Sequence, residues 1–280
     1  MARIPFGISR LDDIVNGGAP PGSVVLLAGE AGAGSREFMY TSVVMHGLSR
    51  ADEELFDLHY GDLPADVDLP DEVHYLTFTQ SKSQLKDEIE TAMDPEMAES
   101  ALSEVNFVSL SNQYFHVSPV PRDWYAGETL NISSLRERSQ EREGLLSALG
   151  SELSKRAPGN LIVLDSLSNL ISAIDEDELS WADVSYLVTG LQRAAYDWNG
   201  LLLMHVNAEA ISQRRLGQLV DACGGSMRFR WETGGSTRAR TLAIQQFRGV
   251  LSQIEAEDIV QFETELGETG FDISDVRKIR

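Results

Sequence analysis

The sequence predicts one mixed α/β domain over residues 1–280, with a mainly parallel central sheet flanked by helices and antiparallel strands at its C-terminal end. Three observations carry this expectation. Strand-length apolar runs alternate with helical patterns along the chain, as in parallel sheets whose strands are joined by helices. Those runs are continuous rather than alternating in polarity, which suits strands buried on both faces. Beyond Gly225 the pattern changes to short alternating strands joined by glycine-containing turns, without a low-complexity linker or an internal repeat.

The elements follow in order. Residues 23–28 (SVVLLA) read as a buried strand, and a helix runs from Ser35 to about Ser49 with Phe38, Met39, Val43 and Met45 as its apolar positions. Residues 50–72 are acidic, contain two prolines and read as an exposed insertion. Residues 73–79 (VHYLTFT) form the next strand; Ser81 and Gln84 then make a capping box that opens a helix to about Met93. Residues 106–110 read as a third strand. The aromatic-rich stretch 111–135 is too long for an ordinary connection, and is either a functional loop or an ordered surface excursion. A helix over 138–156 carries a solvated face, RERSQERE. Residues 160–164 read as a strongly buried strand. Ser180 with Asp183 caps a helix to about Trp198, and 201–205 (LLLMH) form a further strand. MRFRW, RTLAIQQF and DIVQFET make up the strands of the tail.

Charge is the main compositional signal. The chain has 44 acidic and 23 basic residues, a net of −21, and its lysines are only Lys82, Lys86, Lys155 and Lys278. Such a surface repels nucleic acid at long range. Either the acidity serves partner selection, or it is an adaptation to molar salt. The second is favoured because the acids are spread along the chain rather than gathered in a tail. A salt-adapted archaeal cytoplasm follows as the expected setting, where screening weakens the case against nucleic acid. No apolar run is long enough to span a membrane, and the N-terminal MARIPFGISR lacks the apolar region of a signal peptide. Cys223 stands alone, and no Cys/His grouping suggests a metal site.

The functional candidate is GEAGAGSRE, residues 29–37. A glycine-rich turn between a buried strand and a helix can cradle a phosphate with main-chain N–H groups at the positive end of the helix. The same turn can serve as a plain strand-to-helix connection; strand, loop and helix in this order favour the phosphate reading. The candidate nucleotide-binding residues are Gly29, Glu30, Ala31, Gly32, Ala33, Gly34, Ser35 and Arg36. Asp165, at the end of the apolar run in LIVLDSLSNL, joins them as a candidate Mg²⁺-associated acid, with a turn or capping role as the plainer alternative.

The succession GISRLDDIVNGGAPPGSVVLLAGEAGAG, YLTFTQSKSQL, LIVLDSLSNL, LLLMHV and RTLAIQQFRG resembles the KaiC-like branch of the RecA-fold ATPases over nearly the whole chain. The resemblance implies a RecA-like P-loop core, ATP and Mg²⁺ as ligands, binding between subunits, and assembly as a homo-oligomer or with a KaiC-like paralogue. The match departs at the residues that would carry chemistry. The family's loop lysine aligns with Ser35 and its Ser/Thr with Arg36. Its water-activating glutamate pair aligns with Thr79 and Gln80. Its late Lys-x-Arg-Gly aligns with Gln246, Phe247, Arg248 and Gly249.

These departures remove a phosphate-binding ammonium, a Mg²⁺ ligand and a general base. The expectation is a degenerate site with weakened or absent ATP hydrolysis, in a protein acting as a regulator or scaffold through protein contacts. The alternative is a slow ATPase subunit of a recombination, motility or signalling assembly. Arg36 could fork onto phosphate or pair with Asp165, and the pairing is favoured because Asp165 otherwise lacks a cation. The arginines at 228, 230, 238, 240 and 248 suggest an exposed face, a subunit interface or, less well supported, DNA contact. His205 could act as a sensor of the terminal phosphate, or be a satisfied polar residue at a strand end.

Overall fold

A computed structural model describes residues 2–64, 66–116, 118–125, 144–173, 180–234, 237–250 and 259–278. The parallel part of the sheet contains β1 (Ser23–Gly29), β2 (Val73–Thr77), β3 (Val105–Ser109), β4 (Leu161–Asp165) and β5 (Leu201–Asn207). β6 (Gly225–Gly234) pairs parallel with β1. β7 (Thr237–Phe247), β8 (Ile259–Gly267) and β9 (Gly270–Lys278) continue the sheet antiparallel. Among the described residues the order is β3-β2-β4-β5-β1-β6-β7-β8-β9, a single nine-stranded sheet. The α/β class and the antiparallel end are as the sequence predicts.

The helices are α1 (Ser9–Ile14), α2 (Ser35–Ala51), α3 (Glu53–His59), α4 (Lys82–Ala92), α5 (Pro95–Leu102), α6 (Ser111–Phe115), α7 (Leu145–Arg156), α8 (Leu167–Ser172), α9 (Trp181–Trp198) and α10 (Gln213–Ala222). None of the described helices is long and apolar enough to cross a membrane. All seven β1 residues are buried because the sheet is covered on both faces. Val25 and Leu27 join the core with α2, centred on Phe38 and Phe229, whereas Val24, Leu26 and Ala28 join the core with α9 and α10. The predicted capping boxes at Ser81/Gln84 and Ser180/Asp183 both form.

Several expectations need correction. Within the predicted exposed insertion, residues 53–59 form α3, capped by Asp52 and anchored by buried Phe56. Within the predicted irregular stretch, residues 111–115 form α6, whose Tyr114 packs against Phe78; residues 126–135 lie outside the described residues. So do residues 138–143 of the helix predicted over 138–156, which is described from Leu145. No sequence expectation covers α1, α5, α8, α10 or β9. For α5 the signal was present: Asp94 caps the helix and Pro95 takes the first turn.

The N-terminal segment is pinned through Asp12, whose buried carboxylate accepts N–H groups from Phe6 (2.7 Å), Gly7 (2.9 Å) and Ile8 (3.2 Å) and the Tyr60 hydroxyl (3.1 Å). An amide at this position would turn a donor toward these donors. Asp12→Asn is therefore expected to cost about 1–3 kcal/mol. Denaturant unfolding checks it as a lower midpoint at unchanged slope.

Candidate functional site

The candidate loop lies where the carboxyl ends of the central strands meet, with β1 held between β5 and β6. This end of an open α/β sheet is the usual place for ligand crevices. Gly32 (φ +71°) and Gly34 (φ +101°) adopt left-handed conformations that favour glycine. Gly29 is needed for space: a Cβ there would lie 2.0 Å from Ser35 Oγ, because the Ser35 side chain folds back over it. Phe38 N–H closes the first turn of α2 on Gly34 O at 2.9 Å. The preceding amides of Ser35, Arg36 and Glu37 have no backbone acceptor among the described residues.

The outer side of the loop is fastened to the antiparallel strands. Trp231 Nε1 donates to Ala31 O and Arg240 Nε to Gly32 O, each at 3.0 Å. The Arg240 guanidinium stacks 4.5 Å from the centre of the Trp231 ring. The Glu30 carboxylate accepts the Trp231 N–H at 3.0 Å. Three loop amides are already taken: Glu30 N–H donates to Phe229 O at 3.1 Å, Ala31 N–H to the Glu209 carboxylate at 3.1 Å and Ala33 N–H to Glu30 O at 3.0 Å.

Asp165 ends β4 and is only 3% exposed. Arg36 Nε lies 3.3 Å from its Oδ2, and the Tyr75 hydroxyl donates to Oδ2 at 2.9 Å. His205, ending the apolar run of β5, places Nδ1 3.6 Å from Oδ1 and Nε2 3.1 Å from Ser35 Oγ. Burial works to raise the Asp165 pKa, but the His205 ring, the Arg36 charge and the Tyr75 hydroxyl together outweigh it. The carboxyl is held below its ordinary range. Burial, then the Asp165 charge, push the Tyr75 hydroxyl well above its ordinary range, so it remains a donor.

Gly29, Glu30, Ala31, Gly32, Gly34, Ser35, Arg36 and Asp165 are brought together around one cleft of about 450 Å³, which Thr79, Gln80, Asn169 and His205 also line. Ala33 is the exception. It is fully buried and packs into the apolar core beneath the loop, as its small side chain between two glycines allows. Gln80 turns its amide to Glu88 of α4, and Glu88 also accepts from Tyr40; Glu88 does not line the cleft. Of the arginines considered together, Arg240 clamps the loop and Arg230 is exposed, but Arg228 is buried, and its Nε and Nη1 have no hydrogen-bond partner among the described residues. Arg228 therefore does not belong to an exposed face, one of the readings left open for these arginines. His205 is neither simply satisfied nor free, since Nε2 is bonded to Ser35 and Nδ1 has no hydrogen bond among the described residues.

Tyr75, Glu209 and Trp231 are contributors that the sequence reading passed over. Tyr75 was hidden inside an apolar strand, and Glu209 and Trp231 reach the loop only through the pairing of β1 with β5 and β6. The residues present fit a phosphate group at the free first-turn amides of α2. They do not fit Mg²⁺ at Asp165, where Arg36 holds the carboxylate and the Tyr75 hydroxyl already donates to it. Among the described residues no three His, Cys, Asp or Glu side chains converge in a way that could hold a metal ion.

No protein-family model matches the chain, and no curated protein sequence matches it. Solved structures do. A KaiC-like protein from the hyperthermophilic archaeon Pyrococcus horikoshii OT3 superposes with a TM-score of 0.58 at 16% identity, covering 98% of this chain and 99% of that one. The flagellar accessory protein FlaH from Methanocaldococcus jannaschii gives a TM-score of 0.58 at 13% identity, with the same 98% and 99% coverage. Together with the sheet order and the glycine loop at its carboxyl edge, these likenesses show that the chain carries the KaiC-like, RecA-type fold over nearly its whole length.

Proposed function

We propose that this chain is a degenerate KaiC-like P-loop protein, with ATP hydrolysis weakened or lost, that acts as a regulator or scaffold through contacts with other proteins. The observation that carries this reading is the Arg36–Asp165 ion pair. The acid that would hold Mg²⁺ is neutralised from within the loop's own helix, by the residue standing where a Mg²⁺-binding hydroxyl would be. Two further features support it. Ser35 supplies no ammonium group for a triphosphate, and Glu30, Glu37 and Glu209 surround the loop with like charge. Gln80, at the place of a general base, cannot take a proton from water.

The partner is a second copy of the chain or a KaiC-like paralogue, and salt-adapted cytoplasm remains the proposed setting. Calorimetric titration with ATP and ADP in molar salt, with and without Mg²⁺, tests the reading. The expected result is that Mg²⁺ brings no gain in affinity. Tight Mg²⁺-dependent binding, with hydrolysis abolished by Asp165→Asn, would overturn it. The free amides of α2 favour a second reading, a nucleotide-binding subunit of a recombination, motility or signalling assembly whose catalytic groups come from another chain. ATPase activity that appears only on mixing with an intact KaiC-like paralogue distinguishes that case.

A further inference from the structure

The residue that replaces the loop lysine stands in a series with two others. Ser35 Oγ lies 3.1 Å from His205 Nε2, and the other ring nitrogen lies 3.6 Å from Asp165 Oδ1. His205 is 8% exposed, and its Nδ1 makes no other contact of this kind among the described residues, so that a slight shortening of the 3.6 Å separation would give Asp165 its hydrogen bond. Three different elements contribute: α2, the end of β5 and the end of β4. A hydroxyl, an imidazole and a buried carboxylate in this order make a nucleophile, a base and a group that orients the base. Such a set is identified by geometry and role, not by position in a sequence. The serine is the first residue of α2, where the first-turn amides have no backbone acceptor among the described residues.

We propose that Ser35 is an activated nucleophile that takes up an acyl group, with His205 as its base and Asp165 as the residue that orients His205. In the step, Ser35 Oγ bonds to the carbonyl carbon of an ester while its proton passes to His205 Nε2. The amides of Ser35 and Arg36, without backbone acceptors among the described residues, are the donors available to the oxyanion. The carbon–oxygen bond to the leaving alcohol then breaks, and His205 returns the proton to that alcohol. Water, deprotonated by His205, releases the acid from Ser35. The cleft is lined by Thr79, Gln80, Asn169 and Asn207 together with Glu30 and Glu37. That lining suits a polar acyl group and disfavours a greasy one. The His205 ring and the Arg36 charge hold the Asp165 carboxyl below its ordinary range, so a carboxylate stands beside the imidazole to balance the imidazolium. The proposal does not depend on whether nucleotide enters the cleft.

The full chain, in molar salt, is treated with a fluorophosphonate probe, whose P–F bond breaks with loss of fluoride as Oγ bonds to phosphorus. Intact mass and peptide mapping are expected to show one adduct, on the peptide containing Ser35. Ser35→Ala abolishes it, and His205→Gln slows it by at least about tenfold. Absence of the adduct from the natural chain, or equal labelling of a folded His205→Gln variant, overturns the proposal. If His205→Gln does not fold, Ser35→Cys supplies the second readout. Cys223 is buried, with its thiol pushed up to about 12 by burial, so it leaves the new thiol as the reactive one. Iodoacetamide is expected to alkylate that thiol at least about tenfold faster than free cysteine, and reaction no faster than free cysteine counts against the proposal.

Discussion

Ser35→Lys combined with Arg36→Ser is expected to bind ATP in the presence of Mg²⁺ at least about a hundredfold more tightly than the natural chain, equivalent to about 2.7 kcal/mol. The main-chain frame needs no repair. Gly32 and Gly34 already hold left-handed turns, the first-turn amides of α2 are free, and Trp231 and Arg240 fasten the loop from outside. Only side chains are missing. Lysine restores one charge-assisted contact to phosphate, worth about 1.5–3 kcal/mol. Removing Arg36 releases Asp165 from its ion pair, and the new serine offers Mg²⁺ the hydroxyl it lacks. Hydrolysis should stay low until Gln80→Glu adds a carboxylate, which then raises the rate by about 10²–10⁴. Calorimetry and phosphate release measure the two steps separately. If the double variant binds no better than the natural chain, the loop is not a phosphate cradle, and the degenerate-site reading loses its basis.

The parallel sheet was legible because burial on both faces leaves a local mark. SVVLLA and LIVLD are apolar without alternation, and no other common environment asks that of a strand-length run. Helix starts at Ser81 and Ser180 were equally legible, since a capping box is written within four residues. Short helices were not. α3 is held by Asp52 and a single buried aromatic, Phe56, so its composition still reads as acidic loop. α8, six residues long, is too short for a periodic pattern to emerge.

The site divides in the same way. Residues contributed by one contiguous stretch, from Gly29 to Arg36, could be named from order alone, and so could Asp165 at the end of its strand. The pairing of Arg36 with Asp165 was inferred from charge, as a cation and an acid otherwise left without partners. Contacts set by strand neighbours were out of reach. Glu209 reaches Ala31 because β5 lies beside β1, and Trp231 reaches the loop because β6 lies on the other side. The same adjacency of β4, β5 and β1 places His205 between Asp165 and Ser35. Nothing in LLLMH states which strands flank it.

Arg36→Ala is expected to destabilise the fold by about 2–3 kcal/mol, and Arg36→Ala with Asp165→Asn to recover most of that loss. Removing one partner of a fully buried pair costs about 3–5 kcal/mol. The lower figure applies here because the Arg36 side chain is 48% exposed although that of Asp165 is 3% exposed. What remains in the single variant is a buried carboxylate with the Tyr75 hydroxyl and the His205 ring but no permanent cation. In the natural chain the Asp165 pKa is depressed. Its contribution to stability is therefore present above the unfolded value of about 3.9 and is lost as pH falls through the lower folded value. Without Arg36, burial dominates and the acid transition moves to higher pH. Denaturant unfolding across pH 3–7 (about the range where carboxylates titrate), in molar salt, measures both effects. Molar salt is the sharper condition, because it screens exposed pairs far more than one closed over a buried acid. If the single and double variants lose equal stability there, Asp165 is not neutralised by Arg36, and the acid remains open to a cation from outside.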